Sequence, residues 1–332
     1  MVTNKPSLDL DNIIRESHKE FKEYLKRASI EIKGVRLRVL ESVDLLKKLH
    51  DIIKKPNIKK LNKELNTNDK NLLDKISNYD NIYIINKENL REFYIGEIYL
   101  LKQIYNTDNI MELNNKILED VVLSIENGDS IGIGVPKTKE VYIVKDRLEK
   151  GIDNILNKLS PININGPSII KLGSPLFGVA SAPLYTEGKN IKKDVAKVFA
   201  DNIIIHEEEH FMFDVGELAN PELSVSTLQY ITYIDMYNLL KYPKTYEIIK
   251  ENIIECKKYF WSLGITDHYA IRGDLPKSLL KDFVNVLKRA HYDLGYCYAN
   301  IIIDRNKNLN IKDVVEEVKK LSTSDALIKI AY

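Results

Sequence analysis

The stretch VAKVFADNIIIHEEEH, residues 195–210, decides how this chain is read. At about 100° per residue, Val195, Phe199, Ile203, His206, His210 and then Phe213 fall on one stripe. Lys197 and Glu208 lie opposite, and Ile204 and Ile205 widen the apolar belt, so the pattern predicts a helix that runs through a core. On that helix His206 and His210 stand about 40° apart, so their imidazoles project together and can share one metal ion. Glu207 sits about 100° to the side of His206, where it reaches a water on that ion without being a ligand. Zinc lowers the pKa of such a water towards about 7, and a carboxylate in this place takes its proton as a carbonyl is attacked.

The five-residue pattern His-Glu-x-x-His is expected by chance about 0.01 times in a chain with six histidines and this glutamate content. The plainer reading makes Glu207 to Glu209 a solvated charge run and the two histidines ordinary core or rim residues. A carboxylate-bridged di-iron bundle needs a second Glu-x-x-His, but Arg15, Lys47, Ile265 and Lys288 stand three residues before the remaining histidines.

A catalytic zinc wants a third protein ligand and an open fourth position. The histidine helix is expected to end near Asp214 to Gly216, and Asn220-Pro221 reads as the N-cap and first residue of the next. If the two helices form an antiparallel hairpin, residues 222–230 come level with the histidines. On that face lie Glu222, Ser226, Gln229 and Tyr233, and Glu222 is the acid among them, which makes it the expected third ligand. Asp235, about 140° round the helix, is its main rival, with Glu217, His268 and His291 also open. Donors for a developing oxyanion are sought in Tyr269 or His268, on an expected loop after Gly264, and in the pair His291-Tyr292, within a long helix, with His291 preferred.

Working outward, the 332 residues are 44% hydrophobic and carry 49 basic against 48 acidic side chains, which rules out wholesale disorder and collagen-like classes. A net charge of +1 supplies no global field for nucleic acid or anionic lipid, and neither is expected as a partner. No apolar run approaches the ~18 residues of a membrane span, and Met1 to Asp11 lacks the apolar segment of a secretory signal. Cys256 and Cys297 read as small, reduced core residues, and a cytoplasmic location is expected.

Periodicity predicts helices from Leu8 to about His50 with a break at Gly34, a short strand at Ile82 to Ile85, and helix again from Leu90 to Ile125. A hairpin of 131–135 with 140–144 absorbs the weak Gly132-x-Gly134 pair, and a helix follows at 147–159. The Pro- and Gly-rich stretch 161–190 is strand and loop, and helices are expected at 194–214, 221–241, 244–262, 276–304 and 311–321. The expected architecture is α+β and predominantly helical, with a helical N-terminal region over 1–126 and a second domain over 127–332.

Residues 198–210, and less fully the stretch to Glu222, resemble the active-site helix of the zincin metallopeptidases, in particular the gluzincins. The resemblance implies a zincin-like core with a small sheet, Zn2+ held by His206, His210 and Glu222, Glu207 as general base, and Leu176 to Thr186 as an edge strand for an extended substrate. It departs from those patterns in places. Phe213 and Gly216 stand where the metzincin extension needs Gly and His, and Glu222 follows His210 sooner than in the familiar gluzincins. The expected function is zinc-dependent hydrolysis of a peptide or protein substrate. The alternatives are a non-catalytic helical interaction protein with a structural metal or none, and a hydrolase of a non-peptide amide.

Overall fold

The computed structural model describes residues 8–30, 38–39, 81–85, 131–135, 140–159, 166–173, 179–213, 217–272, 276–306 and 309–331. The chain packs as two compact units, residues 1–31 with 151–332, and residues 32–150. The expected boundary at 126/127 falls inside the second of these. The N-terminal helix belongs with the C-terminal helices because its apolar stripe is buried against them.

In the 32–150 unit, strands β1 (Arg38–Val39), β2 (Asn81–Ile85), β3 (Gly132–Val135) and β4 (Glu140–Val144) form one sheet in the order β1-β2-β4-β3. The expected hairpin is present as the antiparallel β3–β4 pair, and β2 runs parallel to β4. Arg38–Val39 is a strand parallel to β2, where helix was expected. Val35, Arg36, Leu37, Arg38 and Val39 alternate apolar and basic, and this period of two prevails over the four-residue spacing of the valines. The helix expected at 90–125 lies outside the described residues.

The other unit is mainly helical. Its elements are α1 (Leu10–Ala28), the end of α2 (Lys145–Leu159), β5 (Ser168–Leu172), β6 (Ala182–Thr186), α3 (Ile191–Glu209), α4 (Pro221–Met236), α5 (Pro243–Arg272), α6 (Lys277–Arg305), α7 (Ile311–Lys319) and α8 (Thr323–Ala331). Helix α1 starts on Asp9, whose carboxylate accepts from the Asn12 N–H at 3.1 Å, and ends on Ser29 in the left-handed conformation. Its buried residues Leu10, Ile13, Ile14, Phe21 and Leu25 form the stripe that packs on α3.

Helix α4 is the centre of this unit. From Leu223 to Ile234 it is buried all round, between α3 and α6, so it must be apolar or internally satisfied on every face. Several of its polar groups are satisfied by neighbouring carbonyls. The Ser224 hydroxyl donates to the Val318 carbonyl at 2.8 Å, and Thr227 bridges the carbonyls of Leu223 and Gly295 at 2.8 and 3.1 Å. At Gly295 helix α6 lies so close to α4 that a Cβ would stand 2.6 Å from the Leu223 carbonyl oxygen and 2.7 Å from the Ser226 Cβ.

Two further expectations are corrected. Helix α5 runs unbroken through Gly264 to Arg272, so Asp267, His268 and Tyr269 are helical and not on a loop. Beside the glycine the Thr266 hydroxyl donates to the Ser262 carbonyl at 3.0 Å, within the helix. Cys256 and Cys297 are joined in a disulfide between α5 and α6 and are not reduced thiols. The bridge sits in a seam where Asn252 donates to Asn300 and Tyr259 to Asp293, each at 3.0 Å, so successive turns of both helices bring the two cysteines into register. A reducing, cytoplasmic setting therefore loses its thiol support.

Strand β6 pairs with β5 on one side, and the Ser181 and Pro183 carbonyls accept from Tyr230 and Tyr233 at 2.7 and 3.0 Å. Among the described residues no helix is long and apolar enough to cross a membrane.

Candidate metal centre

The site is assembled by the antiparallel pair α3 and α4, with α6 as its third wall. Helix α3 begins on Asn190, whose side chain accepts from the Lys193 N–H at 3.1 Å, and at His210 it tightens into one 3-10 turn. Both histidines keep right-handed helical placement, so the expected convergence of their rings is present. Asn220 caps α4 by accepting from the Leu223 N–H at 3.2 Å, with Pro221 following it. Its amide nitrogen also reaches His291 on α6 at 2.8 Å and donates to Thr323 at the start of α8 at 3.0 Å. The first turn of α4, which carries Glu222, is thus held from three directions.

His206, His210 and Glu222 form a group that can hold a metal ion. The two Nε2 atoms are 3.3 Å apart, and Glu222 Oε2 lies 3.5 Å from that of His206 and 3.6 Å from that of His210. Tetrahedral ligands at about 2.0–2.1 Å from one ion are about 3.3–3.4 Å from each other, so these three edges fit a single ion with small closure. Glu222 Oε2 is buried and turned to both imidazoles.

The tautomer of His206 is set by its neighbour. Gln229 spends its amide nitrogen on the Asn202 carbonyl at 3.0 Å, so its oxygen faces His206 Nδ1 at 2.9 Å and also accepts from the Tyr296 hydroxyl at 2.9 Å. Nδ1 must then carry the proton, which leaves the Nε2 lone pair directed at Glu222 and His210. Sequence reasoning placed Gln229 on the right face of α4 but gave it no part in the site.

The charges agree with the geometry. Burial works to lower the His206 imidazolium, but Glu222 and Glu207 outweigh it and the value rises. Burial likewise works to raise the Glu222 carboxyl, and the hydrogen bonds and charges of the two histidines overcome it and hold it well below the usual carboxylate range. Both shifts report the same field, which favours positive charge between the imidazoles and the carboxylate.

Tyr292 forms part of the wall, with its ring centroid 5.7 Å from that of His206. Burial, then the Glu222 charge and a hydrogen bond to Glu222, push its phenol up, so it stays a protonated donor at neutral pH. The sequence names it only in the pair His291-Tyr292, and Tyr292 and Tyr296 stand one turn apart on the face of α6 turned to Gln229 and Glu222. Its neighbour His291, the expected donor, is exposed and held against Asn220. Tyr269 and His268 lie on a stretch of α5 whose side chains are outside the described residues.

The rival ligands are engaged elsewhere. Asp235 accepts from the Tyr24 hydroxyl at 2.8 Å, and Glu217 pairs with Lys319 at 3.0 Å. The remaining two acids of the motif point away from the ion site. Glu208 is buried with His18 of α1 at 3.0 Å, and Glu209 is buried and accepts from Thr232 at 2.7 Å, with burial pushing its carboxyl well up. They are therefore not the solvated charge run of the plainer reading. No family model matches the chain, and neither a curated protein nor a solved structure matches it.

Proposed function

We propose that this chain is a zinc-dependent peptidase in which His206, His210 and Glu222 hold the ion and Glu207 is the general base. The observation that carries the reading is the convergence of three ligand atoms at 3.3, 3.5 and 3.6 Å, two of them from the helix segment that also carries Glu207 and the third from α4. Two nitrogens and one oxygen suit zinc, and zinc held there supplies a Lewis acid for a scissile carbonyl and lowers the pKa of water to about 7.

The chain's own residues supply the rest. Glu207, whose charge is felt at both His206 and Tyr292, accepts the proton of the attacking water and passes it to the leaving amine. Gln229 keeps His206 in the ligand tautomer. Tyr292 donates a hydrogen bond and steadies Glu222 as charge moves.

Elemental analysis of protein expressed with ample metal, followed by a peptide-library digest, tests the reading. One zinc per chain and cleavage are expected. Glu207→Gln should keep the zinc and lower turnover by about 10²–10⁴. Zinc with cleavage of amides but of no peptide would move the reading to a non-peptide hydrolase, and absence of zinc would end it.

A further inference from the structure

On the far side of the Cys256 turn, α5 and α8 leave an apolar groove open. A cavity of about 550 Å³ is lined by Phe260 and Trp261 of α5 and by Leu327, Ile330 and Ala331 of α8. Trp261 is 76% exposed and Leu327 38%, although large apolar side chains are ordinarily the first to be covered. Lys257 and Lys258 stand on the rim, and among the described residues neither makes a hydrogen bond or ion pair. The nearby acids Glu251 and Glu255 are already engaged by Lys171, at 3.1 and 3.3 Å.

We propose that this groove docks an acidic segment of another protein, which seats apolar side chains beside Trp261 and sets carboxylates against Lys257 and Lys258. Exposed tryptophan beside uncommitted cations is the composition of a binding hot spot, and the cavity has the size of one or two inserted side chains. A second copy of this chain fits poorly, because a two-fold contact would bring the two lysines towards their own images. An anionic membrane also fits poorly. Each lysine adds about fivefold to such association, so two give only about thirtyfold, and a concave apolar surface has little to insert.

Trp261 is the only tryptophan of the chain, so its emission reports on the groove directly. The full chain is titrated at low salt with a capped peptide of about 15 residues, carrying Leu and Phe at helical i, i+3, i+4 and i+7 positions and Glu elsewhere. A saturable blue shift is expected, absent with the isomer in which Lys replaces Glu. Lys257→Glu with Lys258→Glu should weaken it about tenfold or more while the far-UV circular dichroism is unchanged. No shift with the acidic peptide, or an equal shift with the basic one, overturns the proposal. So does a shift on phosphatidylserine vesicles without peptide, or a dimer in sedimentation that the double charge reversal leaves intact.

Discussion

The seam between α4 and α6 allows a sharp test of how the third wall of the metal centre is placed. In Gly295→Ala, the new Cβ would stand 2.6 Å from the Leu223 carbonyl oxygen, 2.7 Å from the Ser226 Cβ and 3.0 Å from the Thr227 nitrogen. Ordinary contact requires about 3.4–3.8 Å, so the helices must separate by about 0.8–1.2 Å. Two of the three atoms are backbone of a buried helix and cannot swing aside. Overpacking of this kind costs about 1–3 kcal/mol, and the upper end applies here. Alanine recovers about 1 kcal/mol of helix propensity, leaving a net loss of about 2 kcal/mol and a fall in Tm of about 4–8 °C. Gly264→Ala is the matched control, because Gly264 is also helical and nothing lies within 4 Å of its added Cβ. That variant should gain about 0.5–1 kcal/mol and melt about 1–4 °C higher. Calorimetry of both variants measures the contrast, and turnover should drop in Gly295→Ala alone, since Tyr292 lies one turn away on the displaced helix. If Gly295→Ala melts at or above the parent, the close approach is not what sets the spacing of α4 and α6.

Other expectations concern the site and the α5–α6 seam. Gln229→Leu removes the acceptor of His206 and should weaken zinc affinity about 10–100-fold by competition with a chelator, with unchanged affinity counting against the tautomer assignment. His206→Ala or His210→Ala should purify without zinc under conditions that load the parent. Reduction of Cys256–Cys297, which closes a separation of 41 residues, should lower stability by up to about 4 kcal/mol in denaturant melts with and without reductant. In metal-free protein the raised His206 value contributes stability that is complete below its ordinary 6.5 and is lost as pH rises through the shifted value. The depressed Glu222 value contributes stability that is complete above its ordinary 4.5 and is lost as pH falls through the shifted value. The two overlap between pH 4.5 and 6.5, so melting curves of metal-free Glu222→Gln should differ from the parent most in that window.

The convergence of His206 and His210 and the alternation that makes the β3–β4 hairpin were legible because each is a local spacing. Glu222 was within reach too, since a cap at Asn220 and a short connection restrict which residues can stand level with the histidines. The sequence by itself therefore determined the chemistry that two adjoining helices can present. It did not determine what faces them from elsewhere in the chain. That α1 joins the C-terminal helices, that Glu208 and Glu209 turn inward to His18 and Thr232, that Tyr292 and not His291 meets His206, and that Cys256 meets Cys297 all depend on contacts between residues 23 to more than 180 positions apart. Such contacts are selected by the closest packing of whole helix faces, here by a glycine that lets α6 sink onto α4, and no periodicity within a single segment records them.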